Sequence, residues 1–122
     1  MGKQGYGRIV FFSSVSGNLA HKHHGPYAAS KGGINQLMRV MAHEWADRGI
    51  TVNAIAPGYI ETPLTKDYLD QANTREKLSK LVPYGRLGSV EEVVGPTLFL
   101  CSDLAKFITG HVLYVDGGRT LV

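Results

Sequence analysis

Residues 26–64 read PYAASKGGINQLMRVMAHEWADRGITVNAIAPGYIETPL, and they decide the fold because the hydrophobic period changes partway along. Ile34, Leu37, Met38, Met41 and Trp45 recur at helical spacing, while Arg39, His43, Glu44 and Asp47 fall largely on other faces. Pro26 suits the first turn of that helix, where its missing N–H costs nothing, and Gly49 ends it. From residue 50 the helical period is lost. ITVNAIA, 50–56, is a short apolar run of the kind that fills a buried strand, and Pro57-Gly58 halts it.

The flanking segments extend the same alternation. RIVFFS, 8–13, predicts a buried strand before the helix, and HVLYV, 111–115, a third strand that Asp116-Gly117-Gly118 turns away. Ser89 followed by Glu92 is a capping box for a helix over roughly 90–101. Residues 65–80 read as a polar, loosely amphipathic helix. Strands alternating with helices imply a parallel sheet with helical crossovers, an α/β layered fold. No internal repeat, linker or low-complexity segment divides the chain, so residues 1–122 are expected to be one domain or one piece of a domain.

Bulk composition narrows the function classes. The 122 residues suffice for a real core, and 43% apolar with 19% charged residues is ordinary for a globular protein. The net charge of +3 comes from Lys and Arg interleaved with acids, which gives nucleic-acid binding little support. Cys101 has no intrachain partner, and its setting in PTLFLCS predicts a buried, inert thiol. No apolar run approaches the ~18 residues of a membrane span, no signal-peptide pattern is visible, and a reducing cytoplasmic setting is expected. The histidines of HKHH, 21–24, have no cysteine or acid nearby in sequence, so they are expected to form a solvated loop at the mouth of the active site, where one of them could contact substrate, rather than a metal site.

The start of the helix poses the chemical question. Tyr27 and Lys31 are four residues apart, hence on one helix face, amid Ala28, Ala29, Ser30, Gly32 and Gly33. Each glycine costs a helix up to ~1 kcal/mol relative to alanine, which implies a close approach to the backbone there. An ammonium about 4 Å from a phenol favours the phenolate by about 4 kcal/mol at an effective dielectric of about 20, and burial opposes it. A tyrosine so placed can exchange a proton with an alcohol or carbonyl oxygen. Strand 8–13 ends in FFSSVSG, and the carboxyl ends of parallel strands face the crevice where α/β folds bind ligands. Ser13, Ser14 or Ser16 could hold the oxygen, and spacing alone does not choose among them.

Together these segments resemble the short-chain dehydrogenases/reductases. GRIVFFSSVSG, residues 26–64 and GHVLYVDGG are similar to family segments in the family's order, across essentially the whole chain. The resemblance selects Ser14 to hydrogen-bond the substrate oxygen, Tyr27 to transfer the proton, and Lys31 to favour the phenolate and hold the nicotinamide ribose. Within APGYIETP, 56–63, it places Pro57, Gly58, Ile60 and Thr62 near the nicotinamide end of NAD or NADP. The stretch 65–80 then resembles a substrate lid. The expected substrate is a small alcohol or carbonyl compound, and GYIETPLT fits sugar-acid dehydrogenases or 3-oxoacyl carrier-protein reductases. Trp45 and the methionines are expected in the core or a subunit contact.

Family domains are about twice this length, and their glycine-rich cofactor loop follows the first strand. Here GKQGYG precedes a strand and cannot cradle a pyrophosphate. The adenosine-side selector, the NAG strand and the catalytic asparagine also find no match. The expected fold is therefore the C-terminal part of a Rossmann-like doubly wound sheet, about three parallel strands with flanking helices, Met1 being an internal methionine taken as a start. Such a piece is expected to be inactive alone and to homo-oligomerise through a bare strand edge. The rival reading is a catalytically silent interaction module.

Overall fold

The computed structural model describes residues 1–122. Three strands form one parallel sheet in the order β1 (Gly7–Phe12), β2 (Ile50–Pro57), β5 (Val112–Val115). The predicted strands are thus present, and β2, with a neighbour on each side, is the most uniformly buried of them. Helix α1 (Gly25–Trp45) connects β1 to β2, and α4 (Val90–Cys101) precedes β5.

Side-chain alternation along β2 makes the sheet two-faced. Val52, Ala54 and Ala56 pack with Met38 and Ala42 of α1, while Ile55 packs with Leu100 of α4 and with Ala105. The helices therefore cover opposite faces of the sheet. Asn53 is fully buried within this core. Its amide donates to the Ile108 carbonyl at 2.8 Å and its oxygen accepts from the His111 N–H at 3.0 Å. Both halves of the amide are satisfied, and the loop entering β5 is fixed to the central strand.

Local signals explain the helix boundaries. Pro26 sits in the first turn of α1. After Trp45 the chain tightens into a short 3₁₀ turn and leaves through Gly49 at φ 70°. The Ser89–Glu92 capping box opens α4 as expected.

Three sequence expectations need correction, and one small sheet had no sequence signal. The stretch 65–80 is two helices, α2 (Lys66–Leu69) and α3 (Thr74–Lys80), separated where Asn73 adopts φ 60°. Asparagine tolerates this left-handed conformation, which no continuous helix can contain. Cys101 is exposed rather than buried: Leu100 takes the inward position, and the next residue lies about 100° around the helix. Leu37 is exposed, and the inward stripe of α1 is Asn35, Met38 and Ala42, flanked by Met41 and Trp45. Finally, β3 (Ile60–Glu61) and β4 (Gly88–Ser89) form a second, two-stranded parallel sheet with no periodic signature at that length.

The outer side of β1 has no strand neighbour, and Phe12 at its end is 54% exposed. No helix is long and apolar enough to cross a membrane.

Candidate active site

The carboxyl ends of β1 and β2 open onto a cavity of about 720 Å³, closed by α2, α3 and the first turns of α4. Ser14, Tyr27, Pro57, Gly58, Ile60 and Thr62 all line it. The fold thus brings together residues 14–62 because parallel strands send their following loops to the same edge. Lys31 lies just outside the lining. Its ammonium is 5.7 Å from the Tyr27 ring centroid and donates to the Phe12 carbonyl at 3.0 Å. Tyr27 is 48% exposed, with its ring on the cavity wall.

The three candidate serines have different partners. Ser13 Oγ points to the Lys31 carbonyl at 3.5 Å. Ser14 Oγ accepts the Ser16 N–H at 3.1 Å, capping the 3₁₀ turn Val15–Gly17. That bond uses an oxygen lone pair and leaves the Ser14 proton available to a ligand. Ser16 Oγ lies 3.2 Å from His21 Nδ1.

The tight backbone approach sought from the paired glycines of α1 occurs elsewhere. A Cβ on Gly33 would meet nothing within 4 Å, and one on Gly32 only the Gly17 carbonyl oxygen at 3.7 Å. At Gly17 a Cβ would lie 2.6 Å from Asn35 Nδ2 and 3.2 Å from the Lys31 carbonyl. The serine turn therefore seats directly on α1, next to Tyr27 and Lys31, and only a residue without a side chain allows it. Gly58 is similarly confined, since a Cβ there would approach Asp116 Cα to 2.9 Å.

Thr62 and Thr65 form a reciprocal turn. The Thr62 N–H donates to Thr65 Oγ1 at 3.0 Å, and the Thr65 N–H donates to Thr62 Oγ1 at 3.1 Å. This fixes the entry to α2. The α2–α3 segment is held from outside by Arg75, which donates to Glu61 at 2.6 Å and to Asp70 at 3.0 Å.

The loop 21–24 lies at the mouth of the site, in keeping with its sequence reading, and His21 and His24 both face the cavity. His21 Nε2 lies 3.4 Å from the Tyr59 hydroxyl, which accepts from Arg119 Nε at 3.3 Å. Burial, the Arg119 charge and His24 together hold the His21 pKa below the usual imidazole value. Sequence reasoning missed Tyr59 and Arg119. Their only local signal is a polar-tipped aromatic and a cation following strand ends, and their meeting is tertiary.

A family model described as enoyl-(acyl carrier protein) reductase matches residues 1–120. A tropinone reductase homolog of Arabidopsis thaliana is 42% identical over 117 residues, covering 96% of this chain and 45% of the relative. A galactitol 2-dehydrogenase (L-tagatose-forming) of Cereibacter sphaeroides is 41% identical over 120 residues, covering 97% and 47%. The structure of a gluconate 5-dehydrogenase from Burkholderia cenocepacia, in complex with NADP and tartrate, superposes with a TM-score of 0.94 at 40% identity, covering 99% of this chain and 48% of that one. The chain belongs to the short-chain dehydrogenase/reductase family, and its sheet is part of that family's Rossmann-type fold. It spans about half the length of the curated relatives it matches.

Proposed function

We propose that residues 1–122 are the catalytic half of a nicotinamide-dependent alcohol dehydrogenase or carbonyl reductase. The observation that carries this reading is the convergence of Ser14 and Tyr27 on one cavity, with the Lys31 ammonium 5.7 Å from the Tyr27 ring. In the reducing direction Tyr27 gives its proton to the carbonyl oxygen, and in the oxidising direction it takes the alcohol proton. Ser14 donates a hydrogen bond to the same oxygen, and Lys31 favours the phenolate formed in between. Leu69, Leu78 and Val90 give the same cavity an apolar lining.

The donor set fits NAD or NADP. Lys31 has three ammonium protons and spends one on Phe12, which leaves two for the hydroxyls of a ribose. Pro57, Gly58, Ile60 and Thr62 would lie against the nicotinamide end. When bound, the cofactor supplies or accepts the hydride. The NADP complex of the Burkholderia relative supports this choice. Relatives named for galactitol and gluconate favour a polyol or sugar acid as substrate.

The test is a chimera in which residues 1–122 replace the matching half of the galactitol dehydrogenase, followed by reduced-cofactor absorbance. Tyr27→Phe is expected to lower kcat by about 10²–10⁴. Undiminished turnover in that variant refutes the proton-transfer assignment.

One observation favours an interaction role for the chain by itself. Leu98, Leu104 and Phe107 are exposed at 64%, 83% and 101%, and β1 has an open edge. Such surfaces promote self-association, so homo-oligomers are the expected state in solution. A monodisperse monomer in sedimentation velocity would count against this.

A further inference from the structure

The cavity has a second polar wall that the proton-transfer residues do not use. Arg119, Tyr59, His21 and Ser16 form a continuous hydrogen-bonded row, with heavy-atom separations of 3.3, 3.4 and 3.2 Å. Three of the four line the cavity, and Ser16 is buried. Arg119 Nη1 also donates to the main-chain oxygen of Val122 at 2.7 Å, so the guanidinium is held at two of its nitrogens.

The direction of the row follows from its cationic end. Arg119 has no acceptor, so it donates to the Tyr59 oxygen. A phenol polarised in this way is a better donor, and it gives its proton to His21 Nε2. The imidazole is then neutral with its proton on Nδ1, and that proton goes to Ser16 Oγ. The lowered pKa of His21 agrees with a neutral ring. Each group thereby spends its proton on the next one, and the row ends with the Ser16 hydroxyl proton unspent on the cavity wall.

We propose that Ser16 is a specificity-determining donor for a second oxygen of the substrate, with His21, Tyr59 and Arg119 as the positioning residues that aim it. The substrate class this wall selects is an oxygenated alcohol or ketone, such as a polyol, hydroxy ketone or hydroxy acid, over a hydrocarbon ketone of the same size. Ser14 and Ser16 belong to one turn and are joined by the Ser16 N–H to Ser14 Oγ bond. The second oxygen is therefore recognised from the same rigid segment that holds the reacting one. This inference rests on the proposed redox reading, since it assigns Ser14 to the reacting oxygen.

The test compares cyclohexanone with its 2-, 3- and 4-hydroxy derivatives, titrated into the full 122-residue chain by protein-observed NMR. At least one hydroxy ketone is expected to bind about three- to tenfold more tightly than cyclohexanone, the worth of one added hydrogen bond. Ser16→Ala should erase that preference while leaving cyclohexanone affinity unchanged. Tyr59→Phe, which keeps the ring, should weaken the preference and alter the His21 tautomer. ¹⁵N spectra of the histidine rings should show His21 protonated on Nδ1. A preference that survives Ser16→Ala, equal binding of all four ketones, no binding of any, or an Nε2-protonated His21 would each overturn the proposal. None of these readouts depends on turnover, so failure here is distinct from failure of the Tyr27→Phe assay.

Discussion

Gly17→Ala and Gly33→Ala should shift stability in opposite directions. A methyl at position 17 must displace Asn35 Nδ2, 2.6 Å away, and press on the Lys31 carbonyl carbon and oxygen at 3.2 Å. The carbonyl belongs to α1 and cannot rotate aside, and Asn35 is itself buried. Overpacking of this kind costs about 1–3 kcal/mol. At position 33 a methyl meets nothing within 4 Å, so only helix propensity acts, and alanine gains about 0.8–1 kcal/mol. With a urea m-value near 2 kcal/mol/M, the midpoint should fall by about 0.5–1.5 M for the first variant and rise by about 0.4–0.5 M for the second. Trp45, the single tryptophan, packs against the main core cluster and reports the transition by fluorescence. A Gly17→Ala midpoint equal to or above that of the parent would refute the claim that the serine turn is seated on α1 by contact.

Two further outcomes follow. Met38 is fully buried between α1 and β2, so Met38→Ala should cost about 2–5 kcal/mol in the same urea assay. Stability should also fall with acid in two separate windows. Arg86, aided by the Ser89 N–H, holds the Glu92 carboxyl down at about 2, so its contribution is present above 4.5 and is lost as pH falls from there through about 2. His21 binds its proton less readily when folded, so that loss begins below 6.5 and continues through its lowered folded value. Glu92→Gln should flatten only the lower window and His21→Asn only the upper one, as measured by urea midpoints from pH 7 to pH 3.

The strands and the two long helices were legible because their signals are local. ITVNAIA has no polar alternation, and it became the central strand with both faces covered. The Ser89–Glu92 pair marked the start of α4 to the residue. What periodicity could not settle was the orientation of α4. VEEVVGPTLFLC is apolar on most sides, so the pattern could not show that Leu100 turns inward and Cys101 outward. The break between α2 and α3 depends on one asparagine taking a left-handed conformation that it tolerates but does not demand. The row from Arg119 to Ser16 was invisible for a different reason. Tyr59 is 38 residues from His21 and 60 from Arg119, and no spacing rule connects side chains that meet only once the sheet has formed.

The serine turn links these two kinds of information. Its sequence, SSVSG, looks like any loop after a strand. In the folded chain Ser14 caps the turn with its lone pair and keeps its proton, Ser16 receives the end of the hydrogen-bonded row, and Gly17 lets the turn rest on the carbonyl of Lys31. On the proposed reading, substitution at each of these positions acts on a different step: Ser14 on the reacting oxygen, Ser16 on the choice of substrate, Gly17 on the placement of both. Because Gly17 contacts α1 at the very residue whose ammonium stands beside Tyr27, a backbone shift there moves the Ser14 and Ser16 hydroxyls relative to the Tyr27 phenol. A loss of turnover in Gly17→Ala with the ketone preference intact would then mean that the turn moved as a rigid unit against α1. Loss of both would mean that the turn itself had come apart.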